Sequence, residues 1–124
     1  ELNFEHNQFT NINSLLSYIK SLYLLNLRYN SLRNIPDCLN TNLQILNLSY
    51  NNIEIYSNDC IYLKYIIELD LEHNQIKELP NEFIQCLNLQ TLKPPFDNLS
   101  VADDAKSEYS PKIVSMNKFS LIIL

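Results

Sequence analysis

The stretch "LQILNLSYNNI", residues 43–53, contains the pattern on which most of the chain is built. Leu46 and Leu48 alternate with Asn47 and Ser49, and this period of two residues is typical of a short strand with one buried face. Asn51 follows two residues after Ser49. Because asparagine tolerates left-handed turns and bonds nearby backbone groups, the stretch predicts a strand that ends in a turn at Asn51.

The same pattern returns in "LYLLNLRYNSL" (residues 22–32) and "IIELDLEHNQI" (residues 66–76), and in a shortened copy, "LNFEHNQF" (residues 2–9). A chain that repeats in this way can stack its strands about 4.8 Å apart in a parallel sheet. We predict that the turn residues form a structural asparagine ladder whose amides bond the backbone. Its members, spaced by 23, 21 and 23 residues, are Asn7, Asn30, Asn51 and Asn74.

The pattern L-x-x-L-x-L-x-x-N-x-L resembles that of the leucine-rich repeat family, over roughly residues 1–99. The resemblance implies an α/β solenoid with a short parallel β-sheet on its concave face. Loop, 3-10 or short helical returns would form its convex face. About four repeats are expected, plus a degenerate fifth from Leu89. The "IP" at residue 35 and the "LP" at residue 79 look like the variant of about 23 residues common in intracellular repeat proteins.

The repeat pattern fails after Leu92, where Pro94 and Pro95 follow, because proline cannot continue a central hydrogen-bonded ladder. The next stretch, "SVADDAKSEYSPK", is polar and indicates a loop, whereas the final "IVSMNKFSLIIL" is apolar enough to fold back onto the last repeat. Residues 100–124 are therefore predicted to form a C-terminal cap or tail, or to begin a following segment.

Composition excludes several functions. The net charge is −5 and the 9 Lys and Arg residues are spread along the chain, so no nucleic-acid binding is expected. The absence of glycine excludes P-loop and Rossmann nucleotide-binding loops, and no apolar run approaches the roughly 20 residues of a membrane helix. Cys38, Cys60 and Cys86 have no CxxC spacing and form an odd set. These features predict a cytoplasmic protein without a cofactor.

The tetrapeptide "EHNQ" occurs twice, at residues 5–8 and 72–75, and a carboxylate beside an imidazole can indicate catalysis or a metal. The two copies are three repeats apart, so equivalent atoms would lie about 14 Å from each other. Zinc ligands all lie within about 2.3 Å of one ion, so His6 and His73 cannot share a metal unaided. We predict no catalytic residue, no metal site and no enzymatic activity.

Side chains that alternate with the buried leucines are predicted to line the concave face. One row consists of rings, and tyrosine is enriched at binding hot spots; a solvated face whose rings stack on one another is the alternative. Acidic residues near one end favour a partner with a basic surface. The predicted partner-binding residues are His6, Arg28, Tyr29, Asn47, Tyr50, Glu68, Asp70, Glu72 and His73, with Phe96 a candidate extension of the ring row.

The resulting hypothesis is a non-catalytic protein–protein interaction module that binds a protein or peptide partner on its concave face. Its oligomeric state is left open. An alternative is the recognition or regulatory domain of a larger enzyme, such as a kinase, phosphatase or cyclase, whose catalytic domain is outside this chain. A third possibility is an extracellular receptor fragment, in which the "NLS" glycosylation motifs at Asn47 and Asn98 would matter.

Overall fold

The secondary structure consists of short elements. The computed structural model describes residues 1–37, 39, 42–77, 79–95 and 121–122. Each strand covers two or three residues, and the helices cover four or five. The elements, in chain order, are β1 (Leu2–Asn3), α1 (Asn13–Leu16), β2 (Leu24–Asn26), β3 (Ile45–Asn47), a first 3-10 helix (Ser57–Ile61), β4 (Glu68–Asp70), a second 3-10 helix (Asn81–Gln85), β5 (Thr91–Lys93) and β6 (Leu121–Ile122).

The strands form one sheet in the order β1-β2-β3-β4-β5-β6. Strands β1 to β5 pair in parallel, and each of β1 to β4 pairs with the strand of the next repeat. The register places the same leucine of every repeat side by side: Leu2, Leu25, Leu46, Leu69 and Leu92. The predicted class, an α/β leucine-rich-repeat solenoid with a parallel sheet, is confirmed.

One continuous hydrophobic core runs along the solenoid. Its residues extend from Ile12 to Leu92, and the strand leucines Leu25 and Leu46 are 0 % and 1 % exposed. Full burial of such a side chain contributes about 1.5–3 kcal/mol. Since each repeat covers its neighbour, these contributions depend on the stacking of consecutive repeats.

The return segments close the core on the side opposite the sheet. Helix α1 buries Leu16, and the second 3-10 helix buries Phe83. The first 3-10 helix buries Cys60, which occupies a hydrophobic position. The helices of these returns contain only four or five residues each. No helix in the described part of the chain is long and apolar enough to span a membrane.

The sheet changes direction after β5. Pro94 follows β5 directly, and the last strand, β6, pairs antiparallel with it, with Leu121 opposite Leu92. Phe96, Asn98 and the predicted tail other than Leu121–Ile122 lie outside the described residues. The division into repeats at 1–99 and a cap or tail at 100–124 therefore stays a prediction.

Candidate functional site

Four ring-bearing residues occupy equivalent places at the carboxyl ends of strands β1 to β4. Each lies three positions after the last strand residue and directly before an asparagine of the ladder. All four have left-handed backbones: His6 (φ 57°), Tyr29 (φ 54°), Tyr50 (φ 55°) and His73 (φ 53°). A left-handed conformation costs an ordinary residue about 1–2 kcal/mol. These turns are therefore strained unless other interactions offset the strain.

Backbone hydrogen bonds extend the sheet through these turns. The N–H of His6 donates to the carbonyl of Arg28 at 3.1 Å, and the N–H of Tyr29 donates to Ser49 at 3.2 Å. The N–H of Tyr50 donates to the carbonyl of Glu72 at 2.9 Å. These three left-handed turns are thus tied to the following repeat, which fixes the direction in which the rings of His6, Tyr29 and Tyr50 leave the backbone.

The four rings form a continuous stacked column, which we call the ring column (His6, Tyr29, Tyr50 and His73). Neighbouring ring centroids are 4.4, 4.3 and 4.1 Å apart along the column, close to the strand spacing. The interplanar angles are 11°, 30° and 23°. The two tyrosines are half-buried and the two histidines are exposed. Stacking covers the ring faces of the tyrosines, and the Tyr29 hydroxyl accepts a hydrogen bond from Arg28 at 3.4 Å. The ring edges and the Tyr50 hydroxyl remain for contact with a partner.

Arg28 connects the ring column to the strand face. Its guanidinium lies 4.6 Å from the centroid of the Tyr29 ring and 5.0 Å from that of Tyr50. It also lies 3.6 Å from a carboxylate oxygen of Glu5, whose other oxygen accepts a hydrogen bond from Asn26 at 3.2 Å. A partly exposed pair contributes little stability, so the main effect of these contacts is to hold Arg28 against the rings.

The acidic residues of β4 have unequal surroundings. Asp70 accepts a hydrogen bond from Lys93 Nζ at 3.3 Å, which compensates its charge. Within the residues that the structure describes, Glu68 and Glu72 have no ion-pair partner. Glu68 is exposed and Glu72 is half-buried. The β4 end of the face is therefore acidic, whereas Arg28 compensates Glu5 at the β1 end.

A row of Asn and Asp side chains on the strands has a local role that the sequence patterns did not predict. The side-chain oxygen of Asn47 accepts the N–H of Ser49 at 2.9 Å and its hydroxyl at 2.7 Å. Asn26 and Asp70 accept the N–H two residues later in the same way, at 3.1 Å. Such bonds are typical of Asn and Asp. The recurrence of Asn and Asp at one repeat position was the feature of the sequence from which these local bonds could have been predicted.

The turn asparagines connect consecutive repeats. The Asn51 amide nitrogen lies 2.9 Å from the carbonyl oxygen of Leu27 in the preceding repeat and 3.0 Å from that of Leu48 in its own turn. Its amide oxygen accepts the N–H of Leu32 at 3.0 Å. Asn30 and Asn74 make the equivalent contacts.

Asn7, in the first repeat, differs from the other three asparagines. Its amide nitrogen donates to the carbonyls of Phe4 and Glu5 within its own turn, at 2.9 and 3.2 Å. It is exposed, whereas Asn51 is 5 % exposed. Asn7 therefore provides a natural comparison for Asn51. Among the described residues, no group of three or more His, Cys, Asp or Glu side chains is placed to hold a metal ion.

The family comparison agrees with this geometry. A model described as "Leucine Rich Repeat" matches residues 42–63 and 65–87. The chain belongs to the leucine-rich-repeat family.

The chain is also similar to curated fibromodulins from several vertebrates. It is 29% identical to human fibromodulin over 117 residues, covering 72% of this chain and 31% of the relative. Identity to mouse fibromodulin is 30% over 117 residues, with the same coverage, and identity to pig fibromodulin is 35% over 78 residues, covering 60% of this chain and 52% of the relative. The chain thus spans about a third of the length of the first of these relatives.

The prediction of a cytoplasmic location is wrong. The fibromodulins are secreted extracellular matrix proteins, and this also removes support for an intracellular type of repeat. The prediction relied on the cysteines, but Cys60 and Cys86 are buried core residues. Buried cysteine fills space as a small hydrophobe in any compartment, so it was a poor indicator of location. The family and these relatives are typically non-enzymatic, which supports the non-catalytic prediction indirectly.

Proposed function

We propose that this protein is a non-catalytic interaction module that binds a protein or peptide through the concave face and the adjoining ring column. Leucine-rich repeats and the fibromodulin relatives support a protein–protein interaction role in general. Because those relatives are matrix proteins, we further propose that the partner is extracellular. The observation that carries the proposal is the ring column itself, held at the edge of the sheet by left-handed turns.

The ring column suits binding because it is already ordered. Tyr29 and Tyr50 are stacked and half-buried before any partner arrives, so little side-chain freedom remains to be lost on binding. The Tyr50 hydroxyl and the ring edges can still bond a partner, and the Tyr29 hydroxyl, which accepts from Arg28, can still donate. Ordered tyrosines of this kind are frequent binding hot spots.

The charge distribution favours a partner with a basic side chain opposite β4. Glu68 and Glu72 lie on the same strand side, four residues apart, without an ion-pair partner in the described part of the chain. Bringing Lys or Arg to this end would compensate their charge, and such contacts act mainly on association rate and specificity. At the other end, Arg28 is already engaged by Glu5.

The first experiment tests the ring column. The full chain is immobilised, and proteins retained from an extracellular-matrix extract are identified by mass spectrometry. A Tyr29→Ala/Tyr50→Ala variant is expected to lose at least one specific partner. The matched control, Tyr18→Ala/Tyr65→Ala, removes two exposed tyrosines from the return segments and should retain every partner. If the folded Tyr29/Tyr50 variant retains every partner, the ring column is not the binding site.

A second experiment tests the acidic end with a partner found in the first. Glu68→Gln/Glu72→Gln removes two charges from the concave face, and it should slow association and weaken its salt dependence. Glu54→Gln/Glu82→Gln makes the same change of net charge outside the concave strands. Equal association rates for the two variants would contradict a basic contact at β4.

A further inference from the structure

Two buried cysteines from neighbouring repeats lie against each other. Cys60 is in the first 3-10 helix, and Cys86 follows the second 3-10 helix directly. They are 2 % and 5 % exposed, and both are free thiols. The sulfur of Cys86 lies 3.8 Å from the carbonyl oxygen of Cys60. The two return segments therefore bring both side chains to one place in the core.

We propose that Cys60 and Cys86 are a redox-modification site and form a disulfide that joins the third repeat to the fourth. A disulfide needs two cysteines whose side chains face each other across a short gap. The Cys86 sulfur contacts the Cys60 backbone at 3.8 Å, and both residues belong to one core cluster, so the two side chains lie in the same part of the core. Formation of the bond requires a rotation about the side-chain bonds that brings the two sulfur atoms to about 2.05 Å.

The electronic state of the two thiols agrees with this arrangement. The pKa of Cys60 is raised, mainly by a hydrogen bond with the Cys86 thiol and to a smaller extent by burial. The same hydrogen bond lowers the pKa of Cys86, although burial of Cys86 acts in the opposite direction. The thiols must be close together to affect each other in this way. The thiolate is the nucleophile in disulfide exchange, so the lowered pKa of Cys86 favours Cys86 as the first of the two to react.

The reaction requires a disulfide oxidant, for which glutathione disulfide is the probe. The Cys86 thiolate attacks one sulfur of the oxidant, forms a mixed disulfide and releases one glutathione thiolate. Cys60 then loses its proton to solvent, and its thiolate attacks the Cys86 sulfur and displaces the second glutathione. Two protein thiols are oxidised and one glutathione disulfide is reduced. Because both sulfurs are buried, the reaction requires a local opening of the return segments and is slow in the folded protein.

The consequence is a covalent link beneath the acidic end of the candidate site. Cys60 belongs to the repeat that carries β3, and Cys86 follows β4 in the chain. A crosslink between them restricts the unfolded chain and prevents these two repeats from separating. Since Tyr50 and His73 follow β3 and β4, the link also holds the second half of the ring column together.

The test uses the full chain with Cys38→Ser, which leaves Cys60 and Cys86 as the remaining cysteines. Folded protein is incubated with glutathione disulfide, and free thiols and intact mass are measured. The expected result is loss of both thiols, a mass decrease of about 2 Da for two hydrogens, and a crosslinked peptide containing both residues. The urea midpoint should rise on oxidation, and dithiothreitol should reverse the rise.

Two control proteins show whether the change in stability comes from this pair of cysteines. A Cys60→Ala/Cys86→Ala variant, also carrying Cys38→Ser, should show no change of urea midpoint with oxidant. The chain with all three cysteines should give the same crosslinked peptide. The proposal is overturned if both thiols persist while urea-unfolded protein oxidises. It is also overturned if only glutathione adducts form, or if the three-cysteine chain pairs Cys38 instead.

Discussion

Replacing Asn51 with leucine tests what the asparagine ladder contributes. Leucine has the same branching as asparagine at Cγ, so Asn51→Leu removes the amide with little change in shape. Asn51 is 5 % exposed, and its amide bonds backbone groups of two repeats. An apolar side chain in a buried place would ordinarily raise stability. A loss of stability in Asn51→Leu would therefore be caused by the missing hydrogen bonds.

The size of the loss follows from what each backbone group retains. The carbonyl of Leu27 still accepts from Asn30 at 3.0 Å, and that of Leu48 still accepts from Asn74 at 2.9 Å. The carbonyl of Ser49 still accepts the N–H of Tyr29. The N–H of Leu32, which is buried, loses Asn51 as its acceptor. An unpaired buried donor costs about 1–3 kcal/mol, so this cost, rather than one for every bond of Asn51, is expected.

The measurement is equilibrium unfolding in urea, followed by circular dichroism, and the matched control is Asn7→Leu. Asn7 occupies the same repeat position but is exposed, so water can replace its amide. Asn51→Leu should lower the urea midpoint by roughly 0.3–3 M, given a slope of about 1–3 kcal/mol/M. Asn7→Leu should leave it nearly unchanged. Equal midpoints for the two variants would refute the idea that the ladder holds consecutive repeats together.

Two further predictions concern the core and the ring column, and both use urea unfolding. Leu48→Ala should cost about 2–5 kcal/mol because Leu48 is 0 % exposed, whereas the same change at Leu87, which is 68 % exposed, should change stability by less than about 0.5 kcal/mol. A small loss of stability at both positions would contradict the placement of Leu48 in the hydrophobic core. Tyr50→Gly should be more stable than Tyr50→Ala by up to about 1 kcal/mol, because both variants lose the stacking contacts but glycine alone relieves the left-handed backbone. A more stable alanine variant would show that this backbone is not strained.

Much of the sheet could be predicted from the sequence because two independent periods agree. The alternation of Leu46 and Leu48 indicates strands, and the spacing of the turn asparagines sets their register. The return segments were predictable only as a choice among loop, 3-10 and short helix. A helix of four or five residues is not stable by itself, so the local sequence does not determine its type. Packing against the rest of the repeat decides between α1 in one repeat and 3-10 helices in others.

The residues of the candidate site were easier to predict than their contacts. The repeat register brings Glu5 near Arg28, and the structure has this pair. The position of the guanidinium over Tyr29 and Tyr50 depends on side-chain rotamers and could not be read from spacing. The bonds of Asn47 to Ser49 were likewise missed, because a repeated asparagine on a strand was interpreted as surface rather than as local backbone support.

The left-handed ring positions give the best physical reason to look for function at this edge of the sheet. Turn chemistry alone would favour asparagine, which tolerates a left-handed backbone, and asparagine is abundant in this chain and directly follows each ring. Rings therefore occupy positions for which asparagine would suit the turn better. Stacking offsets part of the strain, at about 0.5–1.5 kcal/mol for each ring pair. Because the stack offsets only part of its own strain, it does not by itself stabilise the fold, which favours contact with a partner as the reason for the tyrosines.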